Sequence, residues 1–500
     1  MVVLIAGCEK GNSRTDGDAP IRDARNKPNI VLLMIDTLRA DQIGAYGHPG
    51  KLTPTIDAIA SEGVVYEQCV AASPWTLPSI SSMFCSYYPA VHKATSIRVM
   101  EDMKQGRTKK VPVFDKENQF ATIPELLHEI GYATAGISAN PFIQQEYGFG
   151  AGFDFWDGSF AENTVPGRRV NEAAIRWLEG RQDQDRPFFL YLHYMDVHGP
   201  YDAEPRFLDP LVEMLQRKPG PKLTQAEFNR LNGYIRKPPK NDSHPELYES
   251  LRMYRWYWKI RYGAGVREMD HYLGELVAYF ERRGLWDEIY VILTADHGEA
   301  FCEHGHWGHG FSQFQTDLHV PLVLRWPGVL PAGMRVPHRA RLIDLFPTLV
   351  DQLGHSAIPG LQGETLMPLI LDQPRSGDRR SFAEAYKGAT AAGYDQKAIF
   401  DGPWKLIRAT RPPRDGATHP PEPAIALFHL GNDPGEHDNR ADAEPEVVAK
   451  LVALLKQQIA ENMAIKPGVI SHERLVPDST SRRLESLGYV GEQDATSPDE

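Results

Sequence analysis

The chain has 500 residues, 42% hydrophobic, 24% charged and 10% aromatic, with a formal net charge of −12. This is an ordinary globular composition, long enough to bury a large core, and it excludes a disordered or fibrous chain. The acidic balance excludes nucleic-acid binding by bulk charge, and no apolar run approaches the roughly 18 residues needed to cross a bilayer.

The chain opens on Met1-Val2-Val3-Leu4-Ile5-Ala6-Gly7-Cys8. This apolar start, ending Ile-Ala-Gly-Cys, resembles a bacterial lipobox. Residues 1–27 are therefore expected to be a lipoprotein-type signal and polar tether, with lipid on Cys8 as the sole membrane attachment. A periplasmic or cell-envelope location follows. The remaining cysteines, Cys69, Cys85 and Cys302, are odd in number and do not indicate a disulfide framework.

Three apolar runs read as strands buried on both faces: Asn29 to Ile35, Phe188 to Leu192 and Ile289 to Ala295. Helical patterns lie between them. One opens at Thr53-Pro54 and stops at Gly63, one runs from Thr122 to Ile130, and the clearest runs from Val266 to Arg283. Residues 203–250 read as an insertion rich in Lys, Arg, Pro and Asn, a rim or a solvated excursion. Beyond about residue 375 the pattern changes to short strands, Ala398 to Phe400 and Trp404 to Ile407, then a helix from Pro445 to Met463. The alternation predicts a layered α/β fold with a large, mainly parallel sheet over residues 28–375. A small C-terminal α+β subdomain over 376–475 and a tail over 476–500 complete the expected organisation.

Each buried strand runs into residues that bind cations or anions, and open α/β sheets build their sites at such strand ends. Asp36 follows the first, Asp196 and His198 the second, and Asp296-His297-Gly298 the third. Two carboxylates and an imidazole, Asp36, Asp296 and His297, suit a divalent metal: Ca, Mn, Zn or Mg. In Ser73-Pro74-Trp75-Thr76-Leu77-Pro78 the proline suits a first helical turn, which places Thr76 just before a helix N-terminus. A hydroxyl there, beside a metal, becomes a nucleophile against a tetrahedral anion. The run His304-Gly305-His306-Trp307-Gly308-His309 is expected to turn at least one imidazole toward the site.

These residues sit in stretches that together resemble the sulfatase family of the alkaline phosphatase superfamily. The stretches are Pro28-Asn29-Ile30-Val31-Leu32 through Asp41, Thr53-Pro54-Thr55-Ile56-Asp57, Thr76-Leu77-Pro78-Ser79, Gly148-Phe149-Gly150 and His198-Gly199-Pro200-Tyr201. Thr294-Ala295-Asp296-His297-Gly298-Glu299, Val320-Pro321-Leu322-Val323 and Asp433-Pro434-Gly435-Glu436 with Asn439 follow in the same order. The resemblance implies an alkaline-phosphatase-like core and ester cleavage at sulfur or phosphorus. It implies metal ligation by Asp36, Asp296 and His297, with Thr76 also at the ion as nucleophile. His198 and His309 match positions that bind the transferred group or its leaving oxygen, and Asp196 is expected to orient His198 or hold a second metal.

The departures from that family are specific. Thr76 stands where sulfatases carry a Cys or Ser that is oxidised to formylglycine, and Ile80 stands where the motif has Arg. Thr37 replaces the second Asp of the usual pair, and His309 replaces a lysine. A threonine bears a methyl on its β-carbon and cannot give the same aldehyde hydrate, so no formylglycine is expected. The Thr, the Asp-His pair and the later His are similar to phosphoethanolamine transferases and lipoteichoic acid synthases, which pass through a phospho-threonine. The expected activity is metal-dependent hydrolysis of a phosphoric or sulfuric ester by Thr76. Two alternatives stay open: a sulfuric ester hydrolase by another route, and an inactive sulfatase-like glycan-binding protein. The expected partners are a small anionic ester, or a sulfated or phosphorylated glycan or lipid.

Overall fold

In the computed structural model the described residues are 27–95, 110–112, 121–160, 166–216, 226, 253, 255–310, 312–371, 379–385, 395–409, 424–465 and 473–475. Residues 1–26 of the signal and tether, the C-terminal tail and most of the 203–250 insertion lie outside them. Within that insertion Pro205–Gln216 forms a helix. Among the described residues no helix is long and apolar enough to cross a membrane.

The central sheet has eight strands: β1 Asn29–Ile35, β2 Val64–Tyr66, β3 Ala133–Ser138, β4 Phe155–Asp157, β5 Phe188–Tyr194, β6 Ile289–Thr294, β7 Leu322–Arg325 and β8 Met334–Val336. Their spatial order is β8-β2-β7-β6-β1-β5-β3-β4. From β6 to β4 every pairing is parallel. Only β7 runs antiparallel to its neighbours β6 and β2. The sheet is thus mixed but mainly parallel. The three runs expected to be buried strands, β1, β5 and β6, lie side by side at its centre, buried on both faces.

Helices cover the sheet: α1 Pro54–Ser61, α2 Thr76–Cys85, α3 Ile123–Glu129, α4 Gly167–Gly180, α5 Pro205–Gln216, α6 Arg255–Arg282 and α7 Leu345–Gln352. Strand alternation shows that they cover both faces. Tyr191 of β5 packs edge-on against Phe84 of α2, at 5.2 Å between ring centroids. Tyr194, an odd number of residues on, points the other way and donates to Asn171 of α4 at 2.8 Å. Helix α6 starts eleven residues before the expected Val266. Its first turns carry Trp256, Tyr257, Trp258 and Tyr262, with Tyr257, Trp258 and Tyr262 buried, so no polar stripe marks them in sequence.

A second sheet, antiparallel and four-stranded, follows: β9 Ser381–Ala385, β10 Gln396–Asp401, β11 Trp404–Ala409 and β12 Ile425–His429. Helix α8, Pro445–Ala464, packs on β10 and β11 through Leu451 and Leu455. A buried ion pair ties this unit to the first. Lys405 Nζ of β11 meets Glu436 Oε1 at 2.5 Å, and Glu436 Oε2 accepts the Gln315 N–H at 2.6 Å. Asn439 Oδ1 accepts the Leu427 N–H at 3.0 Å. The Asp433 to Asn439 stretch is thereby a structural clamp.

Candidate active site and cation centre

The site forms where β1 and β6 end. Asp36 leaves β1, with its N–H still bonded to Tyr194 O at 3.0 Å. Thr37 then turns the chain sharply, at φ 59°. Asp296 and His297 leave β6 beside it. The N–H groups of Thr37 and His297 both donate to Asp296 Oδ1, at 3.2 and 2.9 Å. Helix α2 points its N-terminus at this pair. Trp75 is extended, Thr76 is the first helical residue rather than the one before it, and Pro78 occupies the first turn where no N–H is needed. Ser79 Oγ donates to Asp296 O at 2.6 Å and locks the helix onto the end of β6.

The arrangement brings Thr76 Oγ1 to 3.2 Å from His297 Nε2 and 3.5 Å from Asp36 Oδ2. All four side chains, Asp36, Thr76, Asp296 and His297, are fully buried. His297 Nδ1 meets Gly298 O at 2.9 Å. A carbonyl only accepts, so Nδ1 carries the proton and Nε2 turns a lone pair toward the carboxylates.

These residues fit a divalent ion by a test of their own. Asp36 Oδ1 and Asp296 Oδ2 are buried and have no hydrogen-bond partner. Buried carboxylate oxygens are rarely left so. Donor atoms of Asp36, Asp296 and His297 lie within 4.8 Å of one another. Burial works to raise the Asp36 carboxyl. The His193 hydrogen bond, then the imidazoles of His198, His193 and His297 around it, outweigh burial and hold Asp36 well below the usual range. Burial and the charge of Asp36 push Asp296 well above its usual value. Burial, then His309, keeps His297 far below the usual imidazole value, neutral as a ligand must be. A cation between the two carboxylates removes their conflict.

His309 reaches the site through a hairpin. Ala300–Phe301 pairs with Trp307–Gly308 in antiparallel register, Gly308 opposite Ala300. The next pair out is Glu299 and His309, and His309 Nδ1 lies 3.0 Å from Glu299 Oε1. The His309 ring lies 4.5 Å from that of His297 and 5.0 Å from that of His198. Burial lowers His309, but the Glu299 carboxylate, then Asp36 and Asp296, raise it to about 9. His198 Nδ1 bonds Gly199 O at 2.7 Å instead, and burial lowers it. The other two histidines of this run turn aside. His304 stacks on Phe314 at 3.8 Å, and His306 lies against the same ring.

Asp196 falls outside the cluster. Its Oδ1 accepts the Gly167 N–H at 2.7 Å, at the start of α4, and burial raises it to about 7. The structure thus places it as a partner of the backbone at the start of α4. Three close residues escaped the sequence reading. Asn140 Nδ2 donates to Asp36 Oδ2 at 2.7 Å, His193 Nε2 lies 3.1 Å from the same atom, and Glu299 holds His309. A signal existed for His193, a lone imidazole in an otherwise apolar or aromatic strand.

The family model described as Sulfatase matches residues 28–355. The chain belongs to the sulfatase family. This sulfatase-family chain is of the ester-hydrolase class, on the alkaline-phosphatase-like fold. A second model, N-sulphoglucosamine sulphohydrolase, C-terminal, matches residues 302–464. The chain is 25% identical over 505 residues to N-acetylgalactosamine-6-sulfatase of Canis lupus familiaris, covering 93% of this chain and 92% of that one. It is 24% identical over 425 residues to N-acetylglucosamine-6-O-sulfatase of Bacteroides thetaiotaomicron, covering 71% and 73%. Among solved structures, one in complex with its substrate D-glucosamine-2-N,6-O-disulfate superposes with TM-score 0.67 at 21% identity, covering 89% of this chain and all of that one. The phosphonate monoester hydrolase of Agrobacterium radiobacter gives 0.63 at 21% identity, covering 88% and 96%. At these identities the structural likeness shows the fold.

Proposed function

We propose that the chain is a metal-dependent hydrolase of phosphoric or sulfuric esters with Thr76 as nucleophile. The observation that carries this reading is Thr76 Oγ1 at the α2 N-terminus, 3.2 Å from His297 Nε2 and 3.5 Å from Asp36 Oδ2. Asp36, Asp296 and His297 would hold a divalent ion, with Thr76 beside it. Such an ion, when bound, makes the hydroxyl more acidic and offsets charge on the transferred group. The remaining steps belong to the protein. Thr76 Oγ, its hydroxyl proton released to solvent, attacks phosphorus or sulfur in line, and the bond to the leaving oxygen breaks. His309, backed by a carboxylate, protonates that oxygen and regains a proton from solvent before the next cycle. His198, backed by a carbonyl, is the neutral base that takes a proton from the water that frees Thr76. The first N–H groups of α2 stabilise the added charge.

The chemistry favours phosphorus. A sulfo-threonine resists water, and formylglycine sulfatases avoid that species by elimination, which the Thr76 methyl forbids. A phospho-threonine can be hydrolysed. Two carboxylates offset a divalent ion, and His309, raised to about 9 by Glu299, adds one positive charge beside them. Such a site suits monoanionic esters, phosphodiesters or phosphonate monoesters, over dianionic phosphate monoesters. A second reading, a sulfated glycan as substrate, is favoured by the relatives named for sulfated amino sugars.

One panel tests this. Protein supplied with Mn, Zn, Ca or Mg is offered aryl phosphodiester, aryl phosphate and aryl sulfate. The proposal expects diester turnover fastest and lost in Thr76→Ala. Sulfate turnover alone, lost in the same variant, supports the second reading. Silence on all three with retained glycan binding identifies an inert binder and overturns the proposal. On its sequence alone, we propose that Cys8 carries lipid and places the protein in the cell envelope.

A further inference from the structure

We infer that Asn140 and His193, with Tyr191 behind it, are positioning residues that aim Asp36 Oδ1 at the cation. This rests on the reading that the site holds a divalent ion. The strands bring the three residues together. Met34 pairs with His193 and Ser138 with His193 in parallel register, so β1, β5 and β3 are adjacent. Asp36 is two residues past Met34 and Asn140 two past Ser138, so both share the face that carries His193.

On that face the two oxygens of Asp36 have opposite surroundings. Oδ2 receives Asn140 Nδ2 at 2.7 Å and His193 Nε2 at 3.1 Å, with the Thr76 hydroxyl at 3.5 Å. Oδ1 is buried and accepts nothing. An oxygen with its lone pairs engaged by two N–H donors is a poor metal donor, whereas the bare oxygen is a good one. Asp36 is thereby set to bind through one oxygen.

Each donor is itself held. The Phe142 N–H donates to Asn140 Oδ1 at 2.7 Å, which leaves the Asn140 NH2 as the end facing Asp36. Gln144 Nε2 donates to the Asn140 carbonyl at 2.5 Å. His193 Nδ1 lies 2.9 Å from Tyr191 Oη, on the same face two residues back. A carboxylate only accepts, so His193 Nε2 carries a proton, and the Tyr191 contact stops the ring from turning. Asn140, His193 and Tyr191 are all fully buried. Partners of this kind are typically worth 10–100-fold in metal affinity.

The test is calorimetric titration of metal-stripped protein with Mn2+, alongside the melting temperature without metal. Asn140→Leu and His193→Phe each remove a donor and should weaken Mn2+ binding about 10–100-fold. His193→Gln keeps an N–H donor and should recover part of the loss, and Tyr191→Phe should lose less. Metal-free melting should stay close to wild type in His193→Gln and Tyr191→Phe, which keeps the test open if a harsher variant misfolds. Wild-type Mn2+ affinity in all four variants overturns the inference. The parent reading fails separately, if wild type and Asp296→Asn bind Mn2+ alike or neither binds it.

Discussion

Thr76 and His297 are 221 positions apart in the chain, yet their polar atoms stand 3.2 Å apart. Replacing Thr76 by Ala should lower kcat by on the order of 10³-fold or more, because it removes the attacking oxygen. Thr76→Ser should keep part of the activity, since it keeps the oxygen. His309→Gln should cost most with substrates of poor leaving groups, where protonation matters, about 10²-fold. Rates on aryl esters graded by leaving-group acidity check this. The residues of this scale were legible where each sits at the end of its own apolar strand or helix start, as Asp36, Asp296, His297 and Thr76 do. Asn140 was not, because it meets Asp36 only through the β1-β5-β3 pairing, which no local pattern encodes, and for His193 the lone imidazole in its strand was a signal that did not say which residue it faces. Asp196 misled for the converse reason: it follows a strand end, but its carboxylate turns to the start of α4.

At the scale of elements, the turn after β6 carries His297, Gly298 and Glu299 through a narrow gap. A Cβ on Gly298 would lie 2.0 Å from Thr316 O and 3.2 Å from Arg39 Cγ. Gly298→Ala should therefore displace the turn, at a cost of about 1–3 kcal/mol in urea unfolding, and lower activity with it. The hairpin beyond is pinned by Glu303, which meets Arg39 and Lys259 at 3.0 and 2.7 Å. Burial works to raise Glu303, but Arg39 and then Lys259 lower it from 4.5 to about 2. A depressed carboxyl contributes stability above its unfolded value and loses it as pH falls through its folded value. Wild type should thus lose melting temperature between pH 4.5 and about 2 more steeply than Glu303→Gln. Equal slopes would show that this ion pair is idle. Element positions were readable where period and boundary agreed, as in β1 and α8. The start of α6 was hidden because its aromatic residues are buried on several sides.

Across the whole molecule, the two sheets share one apolar core, to which the second sheet gives Ala383, Ala398, Phe400, Ile407, Ala426 and Phe428, and the Lys405–Glu436 pair, both side chains fully buried, adds a polar tie between them. Removing one partner leaves a buried charge alone. Lys405→Met should cost about 3–5 kcal/mol and lower the urea midpoint accordingly. Glu436→Gln should cost less, since it keeps an acceptor for the Gln315 N–H. An unchanged midpoint in both would contradict the clamp. The layered fold was legible because three doubly buried strands can only lie inside a covered sheet. The antiparallel β7 was not, because a run of four buried residues carries no direction.

The most direct check on the nucleophile is mass spectrometry of the protein quenched during turnover of a slow aryl phosphodiester. The account predicts a phosphoryl ester on the peptide containing Thr76, absent from Thr76→Ala. Full turnover by Thr76→Ala, with no adduct on the wild-type peptide, would contradict it.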